Sequence, residues 1–123
     1  MIGYVTIGTN DLVRAEQFYD VLLAELGGKR VMTNDRMRMY SSGPGQAMIA
    51  ICTPFDKKKA TVGNGNMVAL AAGSKEAVDR IYKKAISLGA TDEGPPGPRS
   101  PSFYGGYFRD LDGNKLVAFA FGN

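Results

Sequence analysis

The stretch Tyr107–Phe119, YFRDLDGNKLVAF, decides how this chain folds. Its Asp112-Gly113 pair is a strong hairpin signal, because both residues accept the positive φ of a tight turn. Beyond the turn, Lys115–Phe121 reads as a strand; before it, FYGGYFRD reads as another. Val117, Phe119 and Phe121 put only hydrocarbon on one side of the last strand, where a small α/β enzyme would often place a carboxylate. Asp110 and Asp112 are expected to form the turn and not to catalyse.

Upstream lies a Pro/Gly-rich stretch, EGPPGPRSPS, expected as a loop. Before that loop, Ala77, Val78, Ile81, Tyr82, Ala85 and Leu88 form a helical stripe, with Ser74 as cap and Gly89 as stop. NMVALAA, residues 66–72, is the strand leading into this helix. The first half has the same order. MIGYVTIG is a β-branched, alternating strand. Asn10 is the expected cap of a helix carrying Leu12, Ala15, Phe18, Tyr19, Leu22 and Leu26 on one stripe, and Gly27-Gly28 ends it. Three strand candidates follow, at residues 29–32, 36–40 and 47–52.

Overlaying the halves puts Tyr4 on Met67 and Ile49 on Val117, and each half reads strand–helix–strand–strand–strand. The expected fold is α+β, a single domain of residues 1–123 built from two βαβββ modules, 1–55 and 64–123. Their mixed, mainly antiparallel, curved sheets are expected to enclose a cavity, with helices on the convex faces.

Composition narrows the function classes. A length of 123 residues, 44% hydrophobic and 22% charged, describes an ordinary folded domain. The net charge of +3 and the single basic cluster, Lys57–Lys59, do not make a nucleic-acid surface, which needs denser charge and interleaved aromatics. Cys52 is the only cysteine, which excludes an internal disulfide and fits a reducing compartment. No apolar run approaches the ~20 residues of a membrane span, and no signal peptide is apparent, so a cytoplasmic location without membrane contact is expected.

The whole chain resembles the vicinal oxygen chelate superfamily: glyoxalase I, bleomycin-resistance proteins and extradiol dioxygenases. The resemblance is carried by IGYVTIGTNDLVRAEQFYD, GNGNMVALAAGSKEAVD and, most specifically, YFRDLDGNKLVAF. It implies two βαβββ modules and a homodimer. It also implies where a metal would be held in metal-binding members: histidines at the places of Tyr4 and Met67, a residue of the fourth strand near Ile49, and a glutamate at the place of Val117. This chain departs at each position and contains no histidine at all. A thioether, a phenol and hydrocarbons are not a donor set for a divalent catalytic ion. An ordinary phenol ionises near pH ~10, and apolar neighbours raise that value. No metal and no other cofactor is therefore expected.

Strand parity then nominates a pocket lining of Tyr4, Thr6, Ile49, Met67, Val117 and Phe119, with Ile51 and Ala69 on the same faces. The opposite parity, which includes Val5, Ile7, Ala50 and Cys52, is expected under the helices, with Cys52 as inert core. Arg38, Tyr40, Tyr104, Tyr107 and Arg99 are candidate polar anchors. Tyr104 and Tyr107 have opposite parity, so at most one faces inward. Arg38 suits a carboxylate or phosphate. The competing reading of Met67 and Val117 is plain filling of a closed core.

Two functions fit these residues. One is metal-independent binding of a small, partly aromatic, neutral or anionic molecule, as in drug sequestration. The other is a glyoxalase-related lyase or isomerase using Tyr4 and an arginine without metal, or a metal-dependent one with ligands from unexpected positions. A partner-binding relic with a filled interior is a third. The catalytic residues, if any, are not readable from the sequence.

Overall fold

Each half of the chain folds as the same five-element unit, in a computed structural model that describes residues 1–122. The first unit, Met1–Thr61, contains β1 (Tyr4–Gly8), α1 (Leu12–Ala24), β2 (Lys29–Thr33), β3 (Met37–Ser41) and β4 (Met48–Cys52). The second, from Val62 onward, contains β5 (Val68–Ala71), α2 (Lys75–Ser87), β6 (Thr91–Ser100), β7 (Phe103–Arg109) and β8 (Lys115–Phe121). The strand orders β1-β4-β3-β2 and β5-β8-β7-β6 are equivalent. In each sheet the first and last strands of the unit pair in parallel and the remaining pairs are antiparallel. The fold is α+β with mixed, mainly antiparallel sheets. Among the described residues, no helix is long and apolar enough to cross a membrane.

The helices form where their apolar stripes require. Ala15, Phe18, Tyr19 and Leu22 of α1 are buried, as are Ile7, Tyr40 and Ile51 of the first sheet. In the second unit Val78, Ile81 and Ala85 of α2 are buried, as are Leu70, Phe108, Leu116 and Ala118. Ser74 caps α2 by accepting the Ala77 N–H at 3.1 Å. The cap of α1 is Asp11, which accepts the Arg14 N–H at 3.0 Å, and not Asn10. Asn10 instead accepts the Ala60 N–H at 2.7 Å and donates to the Ala60 carbonyl at 3.1 Å. A carboxylate can only accept, whereas an amide can satisfy both sides of a peptide group.

The Pro/Gly-rich stretch is a strand, not a loop. β6 occupies the edge of its sheet, where a proline without an N–H removes no inner ladder bond. Its pairing with β7 shifts register three times, around Gly94, Gly97 and Pro98.

Two polar clusters brace these units. In the β7–β8 turn, Asp110 is only 5% exposed. It accepts the N–H groups of Asp112 and Asn114, each at 2.9 Å, and the Asn114 side-chain amide at 3.0 Å. On the α1 side of the first sheet, Glu16 takes Arg38 at 2.6 Å and Arg30 at 2.7 Å. Asp20 takes Arg30 at 3.0 Å and accepts the Tyr40 hydroxyl at 2.7 Å. Arg38 also donates to the Asn34 carbonyl. Burial first, and the hydrogen bond to Asp20 second, push the Tyr40 phenol well above its ordinary value of 10.0.

Replacing Asp110 with Ala strands several turn donors, and should cost about 3 kcal/mol in urea unfolding. The Tyr40 shift makes a second measurement decisive. A raised folded pKa favours the protonated phenol, so the stability it contributes is complete below about pH 10 and is lost as pH rises beyond it. Unfolding free energy should fall from about pH 10 upward, and Tyr40→Phe should flatten that fall. A residual slope is expected from Tyr82, whose phenol burial and Asp92 push up to about 12.

Candidate functional site

Residues opposite one another in a sheet point to the same face, so the strand registers sort every candidate. In the first sheet, β1 pairs Val5 with Ile49 and Ile7 with Ile51, while β3 pairs Tyr40 with Ile49 and Arg38 with Ile51. Tyr40 lies 6.5 Å from the ring of Tyr19 on α1. That whole set therefore faces the helix. The expected placement of Ile49, Ile51, Arg38 and Tyr40 on the helix-free face is corrected. Arg38 is held by Glu16, and the Tyr40 hydroxyl by Asp20. The overlay of Ile49 on Val117 was one residue out of step, and such a slip turns a strand over completely.

The helix-free face of the first sheet carries Tyr4 and Thr6, paired with Met48 and Ala50. Met39 sits opposite Ala50 and Met37 opposite Cys52. Met32, on β2, sits opposite Met39. Cys52 is buried, but on this face and not under the helix. Tyr4 is 53% exposed. The surface thus combines the Tyr4 phenol and the Thr6 hydroxyl with several thioethers, which adapt their shape readily to apolar partners.

In the second sheet the expected parity of β5 and β8 matches the observed registers. Tyr104 donates to Asp79 of α2 at 2.8 Å, and this hydrogen bond leads the rise of its phenol above the ordinary range. It faces the helix. Tyr107, of opposite parity, pairs with Val117 on the helix-free face. Val117 pairs with Ala69 there, and Phe119 with Ala71 and Gly105. Gly105 has a specific role: a Cβ there would lie 2.9 Å from the Phe103 ring and 3.1 Å from Val117. Its absence lets Phe103 stack on Phe119, with ring centroids 5.4 Å apart, and Phe121 meets both rings edge-on.

Cations border these aromatics. Arg99 and Lys115 approach the Tyr107 ring at 5.3 and 5.6 Å from its centroid. Arg99 is also tied to the carbonyls of Pro95 and Gly97. Lys115, Arg109, Met67 and the loop Val62–Asn66 line a depression of about 470 Å³. Met67 is 44% exposed.

Lys115, Arg109 and the methionines of β3 were not among the sequence candidates. Alternation of Met37 with Met39 was a usable signal. The pairing of Lys115 with Arg109 was not, because it exists only once the β7–β8 register is known.

The residues at the metal-bearing places do not fit a divalent ion. Tyr4, Met67 and Val117 offer a phenol, a thioether and a hydrocarbon, and the helix-free side of β4 offers only Met48, Ala50 and Cys52. No group of three His, Cys, Asp or Glu side chains able to hold a metal occurs among the described residues. Such ions take several nitrogen, carboxylate or thiolate donors together.

Comparison with known proteins places this geometry. No protein of curated function matches the chain. Among solved structures, a glyoxalase/bleomycin resistance protein from Albidiferax ferrireducens T118 is 37% identical, with a TM-score of 0.91 over 99% of each chain. A glyoxalase/bleomycin resistance protein/dioxygenase family enzyme from Burkholderia phytofirmans PsJN shares the fold at 20% identity, with a TM-score of 0.78 over 98% of each chain. A lactoylglutathione lyase from Agrobacterium tumefaciens, also 20% identical, has a TM-score of 0.73 over 98% of this chain and 92% of its own. The family model for the Glyoxalase/Bleomycin resistance protein/Dioxygenase superfamily matches residues 1–118, and the chain belongs to that superfamily.

Proposed function

We propose that this chain is a metal-independent member of its superfamily that binds a small, partly aromatic, neutral or anionic organic molecule on a helix-free sheet face. Sequestration of a drug or toxin is the role that such binding serves. The observation that carries this reading is the chemistry of the helix-free faces. They present a phenol, thioethers and stacked phenyl rings where metal-binding relatives supply imidazole and carboxylate. Thioethers and phenyl rings attract flat, polarisable ligands through dispersion and ring contacts. Tyr4 adds one polar handle that can donate to or accept from a ligand group.

Catalysis through Tyr4 and an arginine receives no comparable support. Arg38, the arginine nominated for the first unit, is committed to Glu16 on the other side of the sheet. A phenol acting as a base near neutral pH would also need its pKa lowered by several units.

A thermal-shift screen of aromatic acids, thiol conjugates and natural-product antibiotics tests the proposal. A ligand present at about 100 times its Kd should stabilise the native state by about 2.7 kcal/mol. Tyr4→Phe should weaken that ligand about threefold to tenfold, the worth of one hydrogen bond. Identical binding by Tyr4→Phe would remove the phenol from the site. Stoichiometric retention of zinc, nickel, iron or manganese by purified protein would overturn the metal-independent reading.

A further inference from the structure

The β7–β8 register sets two cations directly opposite each other, Arg109 and Lys115. Both lie on the helix-free face, and both line the depression beside the loop Val62–Asn66. Like charges opposite one another across a ladder destabilise the pair unless something neutralises them. Only half of that neutralisation is present within the chain. Glu93 takes the Arg109 Nε–H at 2.8 Å, and the Gly113 carbonyl takes one Nη1–H at 3.1 Å. Among the described residues, Lys115 has no carboxylate partner; its ammonium rests over the Tyr107 ring. An aromatic face attracts a cation but leaves its charge uncompensated.

The other side of the depression supplies neutral donors. Its loop reads Gly63-Asn64-Gly65-Asn66, and no carboxylate lines it. The Asn66 amide folds back over Gly63 so closely that a Cβ at position 63 would lie 2.0 Å from Asn66 Nδ2. Gly65 has φ +98°, a conformation that side chains rarely adopt. These two glycines let the loop fold so that Asn64 and Asn66 line the same depression as the cations. A compact concavity with an uncompensated ammonium, a partly free guanidinium and carboxamide donors is built for an oxyanion.

We infer that the depression formed by Lys115, Arg109 and the Gly63–Asn66 loop is an oxyanion site, which takes the carboxylate or phosphate group of the ligand. This rests on the reading above that a helix-free face holds an organic molecule, and it makes that molecule an acid. The Tyr107 ring, whose centroid lies 5.6 Å from the Lys115 ammonium, gives an aryl group attached directly to that oxyanion an aromatic neighbour.

The test measures binding by isothermal titration with four probes: 2-naphthoate, 2-naphthyl phosphate, neutral 2-naphthol and inorganic phosphate. Wild-type protein should bind at least one naphthyl acid about tenfold or more tightly than naphthol. That preference should shrink as salt is raised. Lys115→Met should abolish the preference while leaving naphthol affinity unchanged. Gly63→Ala, which displaces Asn66 without touching Lys115, should reduce it as well, and retained naphthol binding would show that each variant is folded. The carboxylate and phosphate arms identify which oxyanion is favoured. Equal binding of acids and naphthol by wild type, or an acid preference that survives in Lys115→Met, would overturn the oxyanion site and leave the apolar binding reading standing. If no naphthyl compound binds, but phosphate does and Lys115→Met prevents it, the oxyanion site stands and the organic-ligand reading falls. Silence from all four probes overturns both.

Discussion

The in-register parallel pairing of the first and last strands in each unit is the constraint from which the rest follows. Once Val5 lies beside Ile49, and Val68 beside Leu116, each side chain of four strands is assigned to one of two faces. One face is spent on burying a helix. The other is left to whatever chemistry the alternate positions carry. A strand cannot compromise between these roles, because its side-chain period is two. Which positions belong to the helix-free face therefore cannot change without moving the core, whereas the residues at those positions can.

That constraint explains why the chain keeps its family's architecture while departing from its donor chemistry. The buried residues Leu22, Ile51, Ile81 and Leu116 make the same kind of helix-on-sheet contact in either case. Substitutions at the exposed Tyr4 or Met67 leave this packing untouched, whereas Val117 is fully buried on its face. A fold of this type can thus exchange an ion-binding wall for an apolar one. Likeness in backbone to a lactoylglutathione lyase then says little about reaction. Ion pairs of Glu16 and Asp20 are gathered on the helix side, whereas Lys115 is left on the other.

Much of this was legible in the sequence, and the losses have physical causes. The strand at Lys115–Phe121 was readable to the residue, because alternation and an Asp-Gly turn reinforce each other. The faces of Tyr4, Thr6, Val117 and Phe119 followed from parity. Parity failed for Ile49, because both faces of β4 are apolar and the residues themselves do not say which faces the helix. Arg38 and Tyr40 were misplaced for a related reason. A charged residue and a phenol look like surface or pocket groups until Glu16 and Asp20, a turn apart on α1, are seen to face them. Proline-rich composition hid β6, since an edge strand has no need of the N–H groups that proline lacks.

That edge has a further meaning for how copies of the chain can meet. Pro95, Pro96 and Pro98 remove donors from β6, and its irregular register with β7 adds twist. A strand from a neighbouring molecule finds no continuous ladder to extend there. A different protection operates at β2, where Lys29 charges an otherwise accessible rim. Two of the four sheet edges are thereby guarded against growth into fibrous sheets, by missing donors at β6 and by charge at β2.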